Sequence, residues 1–166
     1  REPGGSNNSE KIRNLILKQN SNFDKLTDLF LYISARNENY QSIIKKNHKK
    51  KIILIDRFID STLAYQHYGM GININLIKKI NLFLTKNFKS DFTFLNIVNK
   101  KNMKKRIKIR KNLNKYDNFN YHFYEKVQKG FLKIAKGKRK YMIINSNKNN
   151  AKQNKKIIIN KIKNLI

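Results

Sequence analysis

Cysteine and tryptophan are absent from this sequence of 166 residues, and proline occurs once. Without cysteine, the chain has no disulfide, no thiolate nucleophile and no cysteine-ligated zinc. The three histidines, His48, His67 and His122, are scattered and show no paired metal-ligand spacing. No apolar run approaches the length of a membrane span, so we expect no membrane association.

Acidic residues are also scarce: 10 Asp and Glu stand against 38 Lys and Arg, which gives a formal net charge of +28. A field of this sign attracts polyanions, and a basic nucleic-acid-binding module without catalysis is one interpretation of the chain. The lysines are spread along the whole sequence, however, and no aromatic residues interleave with them in an RNA-binding motif. We therefore expect no specific nucleic-acid partner. The charge would still gather anionic nucleotides.

Hydrophobic periodicity predicts alternating helices and strands along the chain. Short apolar runs predict strands at 52–55, 91–98 and 141–145. Amphipathic spacing predicts helices at 10–17, 24–44, 73–88, 102–112, 120–135 and 151–166. This alternation is typical of a parallel sheet with crossover helices, and the length suits one α/β domain over residues 1–166.

The stretch 52–66 carries the densest set of candidate functional residues. Its apolar start predicts a strand buried on both faces, and this strand ends on Asp56 and Arg57. Ligands of open α/β sheets bind beyond the carboxyl ends of the strands. A carboxylate there can hold a metal through water, and a guanidinium can clamp phosphate oxygens. Polar side chains from Ser61 to Gln66 can line the same cleft, although a surface ion pair at a strand end explains Asp56 and Arg57 equally well.

Four stretches in order and spacing resemble one family: REPGG at 1–5, SEKIRNLIL at 9–17, LYISAR at 31–36 and DRFIDSTLAYQ at 56–66. The strand DFTFLNIV and the later FYEKVQKGF fit as well, although Ser90 stands where the family usually has proline. The family is thymidylate kinase. The resemblance implies a P-loop kinase-type three-layer α/β fold with a central parallel sheet. It also implies a cytoplasmic homodimer that transfers the γ-phosphoryl group of ATP to dTMP with Mg²⁺.

The resemblance assigns phosphate and metal contacts to four residues. Arg57 would contact the dTMP phosphate, and Arg13 would be a second phosphate contact. Asp56 would support the metal and the phosphoryl-transfer centre, which makes Asp56 and Arg57 the candidate catalytic pair. Glu2 is similar to the family's loop carboxylate near the sugar and magnesium.

The resemblance also assigns a base and sugar pocket. Tyr32 stands where the family stacks a phenylalanine on thymine, and Arg36 would hydrogen-bond the base. These residues are four apart, so they share one helix face, and they favour a pyrimidine over the substrates of other nucleotide kinases. Thr62, Tyr65 and Gln66 would complete the pocket. Each of these residues is also compatible with a structural role in the core or on the surface.

The basic segment 102–118 falls where the family has its lid over ATP. Arg106 and Arg110 lie four apart on one predicted helix face, and we expect them to reach the transferred phosphate, with Arg110 as a catalytic residue. A solvated lysine-rich helix face is the alternative interpretation.

The sequence departs from the family at the phosphate-binding loop, because no G-x-x-x-x-G-K-[ST] motif occurs in it. The chain also begins at Arg1 rather than at methionine. We therefore expect a strand–loop–helix unit of about thirty residues upstream, and we expect residues 1–166 alone to be inactive and poorly folded. A decayed, non-catalytic relative is the alternative.

Overall fold

Short polar side chains define where the helices begin, because they accept hydrogen bonds from the free backbone N–H groups of the first turn. Ser6 forms a reciprocal capping box with Ser9 at the start of the first helix. Asp24 accepts from the Leu26 backbone N–H at 2.7 Å at the start of the second. Asparagines do the same for later helices, namely Asn73, Asn99 and Asn150.

The structure is a computed structural model and describes residues 1–109 and 113–166. Its helices are α1 (Asn7–Leu17), α2 (Lys25–Asn39), α3 (Lys45–Asn47), α4 (Ile59–Thr62), α5 (Ile74–Thr85), α6 (Lys100–Lys108), α7 (Tyr121–Ala135) and α8 (Ala151–Lys163). Two π-helical turns, Tyr40–Ile44 and Leu63–Gly69, extend α2 and α4, and Lys115–Asn118 forms a 3₁₀ turn. The strands are β1 (Thr93–Ile97) and β2 (Tyr141–Asn145). The six predicted helices and two of the three predicted strands are confirmed, with ends that differ by a few residues; positions 110–112 of the helix predicted at 102–112 lie outside the described residues.

The described chain divides into two compact units. The first comprises Arg1–Phe88 and Leu113–Ile134, and the second comprises Lys89–Asn112 and Ala135–Ile166. The second unit contains β1 and β2, which pair in parallel as the sequence predicted, with Thr93 opposite Tyr141. The prediction of a single domain over 1–166 stays a prediction.

The first unit is helical and has two groups of buried apolar residues. One group contains Ile16, Ala64, Tyr116, Phe123 and Val127. The other contains Leu29, Ile33, Ile72 and Ile77. No helix among the described residues has the length and apolar character needed to cross a membrane.

Two glycines let α7 approach the π-helical turn Leu63–Gly69 closely. A Cβ atom on Gly69 would lie 2.6 Å from the Phe123 ring, and one on Gly130 would lie 2.6 Å from the Tyr68 ring. Contacts this short are sterically forbidden, so neither position accepts a larger residue without movement of the packed ring.

The prediction of a buried strand at 52–55 is wrong. The segment is irregular, and the side chains of Ile52 and Leu54 are 64% and 76% exposed. A strand needs neighbouring strands to satisfy its backbone, and within the described residues β1 and β2 pair only with each other. The apolar run therefore lacks the pairing that its sequence pattern implied.

Candidate functional site

Although the strand predicted at 52–55 does not form, Asp56 and Arg57, which follow it, contact other predicted site residues. The Glu2 backbone N–H donates to the carbonyl oxygen of Asp56 at 2.8 Å, which places the first residues of the chain beside this segment. The guanidinium of Arg57 lies over the Tyr65 ring, 5.0 Å from its centroid. Arg57 has a φ of 66°, a backbone conformation that bulky residues rarely adopt. Such strain persists where surrounding contacts hold the residue, and it is concentrated at functional sites.

Arg36 is buried, and its guanidinium is held on two edges and one face. Its Nε donates to Glu2 Oε2 at 2.7 Å, and its Nη1 donates to Asn81 Oδ1 at 2.6 Å. The Phe58 ring lies under the guanidinium at 5.5 Å from Cζ. These contacts fix the plane of the guanidinium and leave Nη2 as the nitrogen able to donate to a ligand.

The carboxylate of Glu2 has one satisfied and one unsatisfied oxygen. Oε2 receives the bond from Arg36, whereas Oε1 is buried without a hydrogen-bond partner among the described residues. Burial raises the pKa of Glu2 above its ordinary value, and the nearby Arg36 charge opposes this rise. A buried oxygen without a partner is costly, so Oε1 is suited to accept a hydrogen bond from a ligand.

The glycine-containing loop at the start of the chain is tied to α1 and α2. The Asn39 amide donates to the Gly4 carbonyl, and the Gly5 N–H donates to Glu10 Oε1 at 2.9 Å. Arg13 donates through Nη1 to the Pro3 carbonyl at 2.7 Å. Burial, and then the charge of Arg1, lower the pKa of Arg13. Arg13 therefore has a second positive charge close by, an arrangement that a bound anion would relieve.

Aromatic rings form a connected group beside Arg57. The Tyr116 ring centroid lies 6.1 Å from that of Tyr32 and 5.8 Å from that of Tyr65, both in edge-to-face geometry. Burial raises the pKa of Tyr32 and of Tyr116, so their hydroxyl groups stay protonated. Tyr32 and Tyr65 thus share one aromatic cluster, as the predicted base pocket requires.

The anchor of this cluster was not predicted. The Tyr116 hydroxyl donates to Asp28 Oδ2 at 2.6 Å, and Lys115 forms an ion pair with Asp28 Oδ1. Asp28 lies in the first turn of α2, where an acidic residue ordinarily stabilises the helix end. Its sequence context therefore gives no signal of partners 87 and 88 residues away.

Thr62 and Gln66 are both buried, and each has a polar atom without a partner. These atoms are Thr62 Oγ1 and Gln66 Nε2, and neither has a hydrogen bond within the described part of the chain. The two residues lie four apart on α4 and the π-helical turn that follows it, an element that the sequence analysis did not predict. Buried polar atoms in native proteins almost always have partners, so these atoms point to a bound ligand or water.

The predicted lid arginines are not placed at this site by the described contacts. Arg106, on α6 in the second unit, donates through Nη2 to the Ser146 carbonyl at 3.0 Å. Arg110 lies outside the described residues. Tyr116, near the end of the predicted lid segment, is buried in the first unit. The lid bounds of 102–118 stay a prediction.

A metal at this site would have few protein ligands. Among residues 1–109 and 113–166, no group of three or more His, Asp or Glu side chains is arranged to hold a metal ion. Mg²⁺ is commonly held by one or two carboxylates together with waters and substrate phosphates. The exposed carboxylate of Asp56, beside the buried Glu2, fits that kind of ligand set.

The first unit also contains an open cavity of about 550 Å³, and its wall includes Phe119 and Phe123, whose rings contact Tyr116 and Tyr65 of the aromatic cluster. It is lined by Lys25, Tyr68, Gly69, Met70, Gly71, Phe119, Phe123 and Lys126. None of the buried polar atoms without partners belongs to this lining. Within the described part of the first unit, the unpartnered buried side-chain atoms belong to Glu2, Ser21, Thr62 and Gln66, and all of these except Ser21 are predicted site residues.

Oriented arginines, aromatic rings and unpaired hydrogen-bonding atoms together suit a phosphorylated aromatic ligand, which is the kind of ligand that a nucleotide-binding protein takes. A family model for thymidylate kinase matches residues 1–158. The chain belongs to the thymidylate kinase family. This membership favours a kinase over a nucleic-acid-binding module.

Individual relatives agree with the family match. A thymidylate kinase of Wolbachia pipientis wMel is 39% identical over 136 residues, which cover 81% of this chain and 66% of the relative. One of a Sulfurihydrogenibium species is 34% identical over 165 residues, which cover 98% and 80%. The crystal structure of thymidylate kinase from Ehrlichia chaffeensis has a TM-score of 0.67 and 36% identity, over 88% of this chain and 67% of that one. The predicted P-loop kinase class of fold is thereby confirmed. The chain spans about two thirds of the length of several curated relatives that it matches.

Proposed function

We propose that the protein transfers the γ-phosphoryl group of ATP to dTMP, giving dTDP and ADP, with Mg²⁺ as the metal that would neutralise phosphate charge. The observation that carries the proposal is the held guanidinium of Arg36, with its Nη2 left for a ligand, beside an aromatic cluster and two further arginines. A fixed donor next to a stacking surface suits a pyrimidine carbonyl, and the arginines suit its phosphate.

Each residue has a distinct task in this proposal. Tyr32 stacks on the base, and Arg36 donates to a base carbonyl oxygen. Arg57 and Arg13 neutralise the acceptor phosphate, so that its oxygen can approach the γ-phosphorus of ATP without charge repulsion. Asp56 would hold Mg²⁺, and the metal would supply further neutralisation of the phosphate charge. Catalysis then rests on positioning and charge neutralisation, which are the main contributions in phosphoryl transfer.

The remaining pocket residues recognise the nucleoside. Thr62 and Gln66 use their unpaired atoms on the base or sugar, and Glu2 uses Oε1 on a sugar hydroxyl or a metal-bound water. Tyr65 supports Arg57 from below its guanidinium plane. We include Arg106 and Arg110 in the proposal as lid cations that approach the transferred phosphate.

We include a homodimer in the proposal. It is supported by Leu26 and Phe30 on α2, whose side chains are about half exposed although they are large and apolar. Sedimentation equilibrium tests this part separately, and a monomer at micromolar concentration would exclude it.

The test is ADP release with ATP, Mg²⁺ and dTMP, using protein expressed from the complete open reading frame. Turnover should require dTMP and should fall at least about a hundredfold in Arg57→Ala, because a charged contact to the reacting phosphate is lost. Arg139→Ala is the matched control, since Arg139 is an exposed arginine of the second unit. A folded protein that binds ATP but shows no dTMP-dependent turnover would exclude the proposed function.

A further inference from the structure

We propose that Asn81 is a positioning residue that sets the pyrimidine specificity of the site by fixing the guanidinium of Arg36. This inference rests on the proposed function and adds a residue on α5, an element that neither the sequence motifs nor the resemblance connected with substrate. Asn81 is 3% exposed and contacts Arg36 across 45 residues of sequence.

The hydrogen bond between Asn81 and Arg36 requires a defined orientation of the Asn81 amide. Asn81 Nδ2 donates to the Ile77 carbonyl at 2.8 Å, so its amide orientation is fixed by its own helix. A flipped amide would point its oxygen at that carbonyl and its N–H groups at the guanidinium, which has only donors. Asn81 therefore presents Oδ1 to Arg36 Nη1, at 2.6 Å.

Glu2 and Asn81 together hold adjacent nitrogens of one planar group. Glu2 alone fixes one edge of the guanidinium at Nε and allows rotation about the long side chain. The second bond at Nη1 removes this freedom and determines where Nη2 points. With Arg36 buried and Phe58 against its face, the guanidinium has one orientation rather than several.

A donor fixed in this way distinguishes pyrimidines by the group at their 4-position. Thymine has a carbonyl oxygen there, which accepts the bond, whereas cytosine has an amino group, which presents a donor to a donor. Sites built around a defined hydrogen bond reject analogues that cannot form it. A guanidinium that can rotate away loses this discrimination, even if the charge stays in the pocket.

Thr85 provides a matched control on the same helix. It lies one turn beyond Asn81, is 1% exposed, and donates to the Asn81 carbonyl at 2.8 Å in the same way that Asn81 donates to Ile77. Thr85→Val removes a buried polar group and a similar hydrogen bond within α5. It leaves the contact between Asn81 and Arg36 intact.

The experiment compares dissociation constants for dTMP and dCMP by calorimetry, and kcat/KM for both, in protein from the complete open reading frame. Asn81→Leu should reduce the preference for dTMP over dCMP by about tenfold or more, as expected for a hydrogen bond to a charged group. Thr85→Val should retain the preference, because it leaves Asn81 and both of its side-chain contacts in place. If Asn81→Leu does not fold, Asn81→Ser replaces it, because serine can still bond the Ile77 carbonyl but cannot reach Arg36.

Two outcomes would overturn the inference alone. In one, the Asn81→Leu or Asn81→Ser variant keeps the wild-type preference. In the other, Thr85→Val loses the preference to the same extent as Asn81→Leu. Failure of the wild-type protein to bind dTMP at all is a different result, and it would overturn the proposed function together with the inference.

Discussion

Replacing Asp28 with alanine should destabilise the protein strongly, because this buried carboxylate accepts hydrogen bonds from two largely buried groups, the Lys115 ammonium and the Tyr116 hydroxyl. Its side chain is 2% exposed, and that of its ion-pair partner Lys115 is 11% exposed. The hydroxyl of Tyr116 donates to the other carboxylate oxygen at 2.6 Å. The alanine variant leaves a nearly buried ammonium group and a buried phenol without that acceptor.

The expected magnitude follows from these two penalties. Removal of one partner of a buried ion pair costs about 3–5 kcal/mol, since the remaining charge is desolvated without compensation. An unsatisfied phenol hydroxyl adds up to about 1–3 kcal/mol, although the Lys115 side chain can relax toward water and offset part of the total. A net loss of about 4 kcal/mol is comparable with the whole stability of many domains. With a urea m-value of about 2 kcal/mol/M, the unfolding midpoint would fall by about 2 M.

Urea unfolding followed by circular dichroism tests this prediction. The matched control is Lys129→Ala, which breaks the exposed Glu125–Lys129 pair on α7 and should change little. The triple variant Asp28→Leu, Lys115→Met, Tyr116→Phe should recover most of the loss, because it replaces the polar network with apolar groups of similar size. A midpoint for Asp28→Ala equal to that of Lys129→Ala would refute the reasoning.

Three further predictions use single substitutions. Thr62→Val should stabilise the ligand-free protein by about 1 kcal/mol, because Thr62 Oγ1 has no partner among the described residues, and it should weaken the affinity for dTMP. Thermal unfolding measures the stability and calorimetry measures the affinity. An unchanged affinity for dTMP would contradict this prediction. Gly130→Ala should cost about 1–3 kcal/mol in urea unfolding, because its Cβ would meet the Tyr68 ring, and unchanged stability would show that the ring moves freely. Burial raises the pKa of Glu2, so the folded protein binds this proton more tightly than the unfolded chain does. The stabilisation from this proton is therefore complete below the ordinary pKa of 4.5, and it declines as the pH rises through the raised pKa. Glu2→Gln should remove this decline from a plot of melting temperature against pH, and identical slopes in both proteins would exclude it.

The helices were predictable because their sequence signals are local. Asn150 before the apolar spacing of α8, and Asp24 before α2, are capping residues that act within one turn of their own position. The strand at 141–145 was predicted with its observed bounds, since its pairing partner, β1, was also within the predicted set. The run at 52–55 has the same composition but no neighbouring strand among the described residues, so local propensity had no pairing to support it.

The site was predictable in its residues but not in its supports. Arg36 and Arg57 could be assigned from the family resemblance. In the structure, the guanidinium of Arg36 lies over the Phe58 ring, next in sequence to Arg57, and the guanidinium of Arg57 lies over the Tyr65 ring. Asn81 is one of several polar residues on α5, and nothing in its spacing indicates a contact with α2. Long-range partners of this kind depend on how helices pack, and periodicity does not encode that information.

In the first unit, buried polar side chains differ in whether their polar atoms have hydrogen-bond partners within the protein, and this difference distinguishes residues that stabilise the fold from predicted ligand-binding residues. Asp28 and Asn81 are as deeply buried as Thr62 and Gln66, yet the side chains of the first two are paired with other residues of the protein. Thr62 and Gln66, together with Glu2, account for three of the five unpartnered buried side-chain atoms among the described residues. The other two belong to Ser21 and Asn154, for which no ligand role was predicted. Because an unpaired buried atom lowers stability, its retention at three predicted substrate residues is best explained by a bound ligand that supplies the missing partners.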